Sequence, residues 1–335
     1  MAIQTLYTTD SGNDFIAKLN SNFSDLGNLD FPDNDCRTRF IQEMNVKAQL
    51  LGMSGTTFYD PAGNQPATYA PAGQYPQLWL SENPNVMNAM DALRLLIYAS
   101  GIQHINDAWN IPTYTLNYKN GTTSKTATIK STVFYSDTYQ SSVNALLGSY
   151  DILGGKTGSY NISPIYTNTL VIVAKSKSTG KVYACVSFNT AAATSSNNKF
   201  IDIKKALDYV DASGTAPSFS QGGCVITEMP TLTPSLYNRF GFTLDYDYGK
   251  TVEVYPASVS KVMTAILLCD NILDLNQVVK VKENDRQPPT GTNFVANDAL
   301  RLRDVLQCML MESSNTSAQV IARIVGNILL NRDNA

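Results

Sequence analysis

Apolar residues recur along this chain with a helical period in some stretches and at alternate positions in others. Phe40, Ile41, Met44 and Ala48 share one side of a helix over residues 37–51, closed by Gly52. Met87, Met90, Leu93, Leu96 and Ile97 do the same over 85–100, and Ile203, Ala206, Leu207 and Val210 over 200–210. Residues 302–311 and 316–329 predict two more helices, the second strongly apolar, and residues 13–26 another, stopped by Gly27. Strand patterns cover 114–118, 126–134 and 150–153, and a hairpin joins 170–175 to 181–188 around a turn at 176–180. Residues 242–247 and 251–255 predict a second hairpin, and 278–281 a short extended piece. The Pro-, Gly-, Ala- and Tyr-rich stretch 58–85 reads as a long loop, and 212–223 as a linker. Helices and antiparallel strands are segregated along the chain, which predicts an α+β fold rather than a βαβ array.

Composition narrows the chemistry. A chain of 335 residues, 43% hydrophobic and 16% charged, buries a large core and has the make-up of a soluble globular protein. A net charge of −3 gives no basic surface for nucleic acid. One histidine, His104, argues against a Ser-His-Asp triad and His-rich metal sites, and its place between Ile102 and Ile105 reads as structural. The five cysteines are scattered, with no C-x-x-C, so neither a disulfide framework nor a zinc site is expected; Cys269 and Cys308 read as core. No cofactor is called for. The opening residues do not read as a signal peptide, and no apolar run reaches transmembrane length.

The chemistry concentrates in Pro256-Ala257-Ser258-Val259-Ser260-Lys261, where an apolar helical run begins. Residues three apart share a helix face, so Lys261 Nζ can lie beside Ser258 Oγ. A serine hydroxyl needs a base to become a nucleophile, and a buried lysine favours its neutral form. The plain alternative is an N-cap serine followed by a solvated lysine. Ser178-Lys181 and Ser196-Lys199 also fit Ser-x-x-Lys, but one lies in a turn and the other in a polar linker. Two further stretches complete a set: Gly155-Lys156-Thr157-Gly158-Ser159, and Ser313-Ser314-Asn315 between two helices. Ser-x-x-Lys, Ser-x-Asn and Lys-Thr-Gly together mark penicillin-recognising serine enzymes.

The flanking residues carry a resemblance to the serine D-Ala-D-Ala carboxypeptidases, the low-molecular-mass penicillin-binding proteins. Pro256 to Ala265, Gly291-Thr292, Leu302 to Leu306 and Ser313 to Asn315 resemble the earlier half of that family. Phe40 to Ala48, Leu51-Gly52-Met53, Phe58 to Gly63 and Gly154 to Gly158 resemble its later half. Lys-Thr-Gly therefore precedes Ser-x-x-Lys here, the reverse of the family order, which a circular permutation explains. The expected layout is an appendage at 1–30, the family's C-terminal half at 31–211, the linker at 212–223, and its N-terminal half at 224–335. The appendage resembles short segments of phage structural proteins. The fold implied is β-lactamase/transpeptidase-like: an antiparallel sheet flanked by helices, plus an all-helical lobe.

The resemblance implies Ser258 as nucleophile and Lys261 as its base, with a pKa lowered by burial and by Lys156. Ser313 would pass the proton to the leaving amine, and Asn315 would hold Lys261 and the substrate amide. Lys156 and Thr157 would bind the substrate carboxylate, Gly158 would admit the substrate backbone, and Ser258 and Ser159 would form the oxyanion hole. The partners implied are a peptidoglycan stem peptide ending in D-Ala-D-Ala and β-lactams, at the cell wall, in a phage-associated protein or one exported by another route. A β-lactamase, or a D-amino amidase or esterase, is the rival within the fold, although no Glu-x-x-Leu-Asn lies in the expected loops. A non-catalytic phage structural or wall-binding protein is the rival outside it.

Overall fold

The computed structural model describes residues 30–64, 83–162, 165–191, 198–212, 216–217, 222–229, 243–288, 290–292 and 294–334. The expected helix at 13–26, the 1–30 appendage save Asp30, and much of the 58–85 loop and the 212–223 linker lie outside these residues.

In chain order, α1 (Asp33–Leu50) is followed by β1 (Met87–Asn88), α2 (Ala89–Ser100) and α3 (Gln103–Trp109). Then come β2 (Thr113–Asn120), β3 (Thr123–Lys130) and α4 (Gln140–Ser149). A meander of β4 (Tyr150–Ile162), β5 (Ile165–Ser176) and β6 (Val182–Ala191) leads to α5 (Lys199–Ala212), β7 (Gly223–Glu228), β8 (Tyr246–Tyr248) and β9 (Glu253–Val254). A 3-10 turn (Ala257–Ser260) enters α6 (Lys261–Asn271), followed by β10 (Val278–Lys280), β11 (Asp298–Arg301), α7 (Leu302–Met311) and α8 (Asn315–Asp333).

The main sheet has the order β4-β5-β6-β7-β8 and is antiparallel throughout. Its central strands are apolar at successive positions because both faces are covered. Leu170, Ile172 and Ala174 of β5 and Tyr183 and Cys185 of β6 point to one core, with Phe200, Ile203, Ala206 and Leu207 of α5. Val171, Val173, Ala184, Val186 and Phe188 point to the other, larger core, with α2, α6, α7 and α8. Helix α6 is buried nearly all round, from Lys261 through Leu268, which is why its sequence is apolar without a polar stripe. It runs through the larger core and carries the Ser258 turn at its start.

The α+β expectation holds, with antiparallel sheets and helices, an architecture compatible with a β-lactamase-like fold. Four details differ. The helix expected at 85–100 begins at Ala89, because Met87 and Asn88 pair with Val254 and Glu253, and Asn88 then caps α2 by accepting Asp91 N–H. The hairpin expected across 242–255 does not form over its described part: β8 pairs with β7, and β9 with β1. Tyr246 belongs to the α5-side core and Val254 to the larger one, so the two strands feed opposite faces of the sheet. The second lobe is not all helical. It carries a sheet of order β10-β11-β2-β3, whose inward Leu116, Ile129 and Leu300 pack in the larger core. Short α3 and α4 gave too little periodicity to be read.

Candidate active site

The Ser258 turn is strained where it begins. Ala257 has φ 49°, left-handed backbone that costs a non-glycine residue on the order of 1 kcal/mol. The chain then tightens into the 3-10 turn and delivers Lys261 as the first residue of α6. Lys261 is fully buried, and its Nζ has three oxygen partners: Ser258 Oγ at 2.8 Å, Asn315 Oδ1 at 2.7 Å and the Ala62 carbonyl at 2.7 Å. An ammonium has three protons, so the amine is fully coordinated. Burial nevertheless pushes Lys261 down to about 7, with the charge of Asp60 pulling the other way.

Asn315 reaches Lys261 because of how the Ser313-Ser314-Asn315 turn is built. Ser314 is the N-cap of α8 and accepts the Ser317 N–H at 3.2 Å, making Asn315 the first helical residue. Ser313, just before the cap, has φ 71°. Its carbonyl accepts from Thr290 Oγ1 at 2.6 Å, while its buried Oγ has no hydrogen-bond partner among the described residues. The expected relay hydroxyl is therefore unengaged among the described residues.

The Lys-Thr-Gly segment lies in β4, an edge strand bonded only to β5 among the described strands, and β4 packs against the Ser258 turn. Gly158 makes that approach possible. A Cβ there would fall 2.2 Å from Thr169 Oγ1 and 2.7 Å from the Pro256 carbonyl, too close for any side chain. Thr169 Oγ1 also donates to that same Pro256 carbonyl at 3.0 Å, tying β5 to the turn. Thr157 Oγ1 donates to Thr132 Oγ1 at 2.6 Å, and the exposed Ser159 bonds Asn168 Oδ1 at 3.1 Å. Lys156 is fully buried and donates to the Thr157 carbonyl at 2.7 Å. Burial first, then the charges of Lys261 and Lys199, hold its pKa well below the usual lysine range. The like-charge effect thus falls on Lys156, a correction to the expectation that Lys156 depresses Lys261. The repulsion is mutual, but Lys261 has three acceptors and Asp60 behind it, whereas Lys156 has one acceptor.

Two contributors were missed in the sequence. Lys199, whose Ser-x-x-Lys spacing falls in a stretch that reads as a polar linker, opens α5 and is buried. Its Nζ donates to the Gly158 carbonyl at 3.0 Å and to Ser159 Oγ at 3.2 Å, and burial holds it down to about 7. The apolar Phe200 that follows it was the one available signal of a buried helix start. The second is the loop Asp60-Pro61-Ala62-Gly63, whose residues resemble the family's but suggested no role. It supplies the Ala62 carbonyl to Lys261 and the Pro61 carbonyl to Thr264 Oγ1 at 2.6 Å. Gly63 has φ 68°, and a Cβ there would lie 2.0 Å from the Ala257 carbonyl, so only glycine lets the loop touch the strained turn.

His104 is exposed on α3, whose Ile105, Ala108 and Trp109 face inward. Cys308 is buried as expected and Cys269 is half-buried. Among the described residues no helix is long and apolar enough to cross a membrane.

A seryl oxygen 2.8 Å from a buried, weakly basic amine, beside the edge strand β4, is equipped for acyl transfer. No curated protein and no solved structure matches the chain. Residues 240–332 match the model of the beta-lactamase enzyme family, Beta-lactamase2, and this stretch holds Ser258, Lys261, Ser313 and Asn315. The match supports a serine hydrolase of the β-lactamase and penicillin-binding kind.

Proposed function

We propose that the protein is a serine D-alanyl-D-alanine carboxypeptidase acting on peptidoglycan stem peptides and trapped by penicillins. The observation that carries this reading is Lys261 Nζ, shared between Ser258 Oγ at 2.8 Å and Asn315 Oδ1 at 2.7 Å in a fully buried position. In its neutral form Lys261 takes the Ser258 proton as Oγ attacks the carbonyl of the penultimate D-Ala. The oxyanion is held by the backbone N–H groups of Ser258 and Ser159. As the C–N bond breaks, the proton returns through Ser313 to the leaving amine, and D-Ala departs. Ser313 Oγ, which has no hydrogen-bond partner among the described residues, is available for that transfer. Asn315 holds the substrate amide, and water then releases the acyl chain from Ser258.

The substrate lies along the free edge of β4 as an added strand. Its terminal carboxylate meets Thr157 and Lys156. Lys199 Nζ, bonded to the Gly158 carbonyl and Ser159 Oγ, adds a second buried amine beside this stretch of β4, charged below about pH 7, and no carboxylate is among its hydrogen-bond partners in the described residues. A stem peptide ending in D-Ala-D-Ala should release one D-Ala per turnover with wild-type protein and none with Ser258→Ala; no release by a folded wild type would refute the assignment.

β-Lactam hydrolysis is the second reading, favoured by the family whose model matches. The two part at deacylation: a carboxypeptidase keeps a penicilloyl adduct for many minutes, whereas a β-lactamase turns it over. The motif order is read as a circular permutation. Its support is that α1 and α8, the elements on either side of the inferred cut, pack together, with Phe31 N–H on Asn327 Oδ1 at 3.1 Å and Arg39 on Asp333 at 2.6 Å. The setting proposed is the cell wall, in a phage-associated protein.

A further inference from the structure

Lys261 is braced from a direction that none of the three motifs occupies. Its third partner is the Ala62 carbonyl, and the position of that carbonyl depends on Asp60. Asp60 is buried, and its Oδ1 accepts the N–H groups of Ala62 at 2.8 Å and Asn64 at 2.9 Å, closing a tight turn around Pro61. Its Oδ2 accepts from Gln319 Nε2 at 3.2 Å. Gln319 stands on α8 one turn beyond Asn315, and its Oε1 accepts from Arg37 Nε of α1 at 3.0 Å. Arg37 in turn pairs with the buried Asp285, which also holds Arg323. Asn85 fixes the loop from the other side: its Oδ1 accepts the Asp60 N–H at 2.9 Å while its Nδ2 donates to Ser260 Oγ at 2.9 Å.

We propose that Asp60 is the positioning residue of Lys261: its buried carboxylate holds the Ala62 carbonyl on Lys261 Nζ and presents a negative charge to that amine across one turn of backbone. The inference rests on the proposed role of Lys261 as the base. It adds a residue outside the three motifs, on a loop anchored through Gln319 to Arg37. The charged and polar groups around Lys261 support it. Ser258 faces the amine from the 3-10 turn, Asn315 from α8 and Lys156 from β4, with Lys199 behind Lys156. Asp60 is the carboxylate whose charge acts on Lys261; burial raises its own pKa, and the N–H groups of Asn64 and Ala62, then the charge of Lys261, oppose that rise. Removing that charge while keeping an acceptor should make the amine easier to deprotonate.

The test is an NMR titration of protein carrying 13Cε-lysine and 13Cγ-aspartate, with Lys261 assigned by Lys261→Arg. In Asp60→Asn the Lys261 midpoint should fall by about one pH unit. The acid limb of penicillin acylation should move down with it. Asp60→Ala, which cannot hold the Ala62 N–H, should lower the plateau about tenfold. A merely structural role would lower the melting temperature of both variants without moving the limb. The wild type gives a second reading that does not depend on a variant folding: the Asp60 Cγ resonance should inflect at the Lys261 midpoint. An unmoved Lys261 midpoint in folded Asp60→Asn, or no such inflection in the wild type, would overturn the proposal. Wild-type protein that forms no adduct while the Lys261 midpoint still shifts would sink the carboxypeptidase reading and leave Asp60 as the partner of Lys261.

Discussion

Lys261 and Lys199 are buried amines whose pKa values sit near 7, far below the ordinary lysine value of 10.5. For Lys261 this sets the pH dependence of the proposed chemistry. Acylation needs the neutral amine, so its rate should rise about tenfold per pH unit below about 7 and level off above it. Stopped-flow acylation from pH 5 to 9 checks this, and a flat profile would remove Lys261 as the base. For Lys199 the same depression affects stability. Between about pH 7 and 10.5 the unfolded chain holds a proton that the folded chain has shed, so stability rises with pH across that window and the full penalty applies below it. Lys199→Met should therefore raise the melting temperature, and by more at pH 6 than at pH 9. It should also raise KM for a substrate with a free terminal carboxylate while sparing an amide-capped one. An equal gain at both pH values would mean that Lys199 is not held near 7.

At the scale of elements, the site is a junction between α6, α8 and the edge strand β4. Gly158 sets how close the strand comes, so Gly158→Val should push β4 from the Ser258 turn and cut acylation at least a hundredfold, with far less effect on the fold because β4 is an edge. Ile266, buried in the middle of α6, is a contrasting case. Ile266→Ala should cost about 2–5 kcal/mol in urea unfolding, since it opens a cavity in the larger core. These elements were legible to unequal degrees. α7 is observed over the residues expected, because its apolar stripe repeats over nearly three turns. The Ser258, Ser313 and Lys156 motifs were readable because each carries its chemistry within a few residues. Lys199 was not, because its role depends on α5 crossing the sheet face beside Gly158, a contact between residues 41 apart. Asp60 was hidden for the same reason, its partner Gln319 lying 259 residues away. The pairing of β8 and β9 with β7 and β1 escaped notice because two- and three-residue strands carry no period.

For the whole molecule, the order of the motifs matters less than the closure of the core that brings them together. α1 and α8 meet through Arg37, Gln319 and Asp285, so the two halves are clasped across the inferred cut. A chain rearranged to start at Cys224, run through α8, continue by a Gly/Ser linker into α1 and end at Asp211 would restore the order Ser-x-x-Lys, Ser-x-Asn, Lys-Thr-Gly. It should fold and acylate at a rate within about tenfold of the native order, because chain ends at a packed surface tolerate such a change. A rearranged protein that fails to fold would count against the permutation. The most direct test of the whole account is intact-protein mass after incubation with a fluorescent penicillin, wild type beside Ser258→Ala. One covalent penicilloyl adduct on the wild type and none on Ser258→Ala is the expected result. A folded wild type that takes up no label, or a Ser258→Ala variant labelled as well as the wild type, would contradict it.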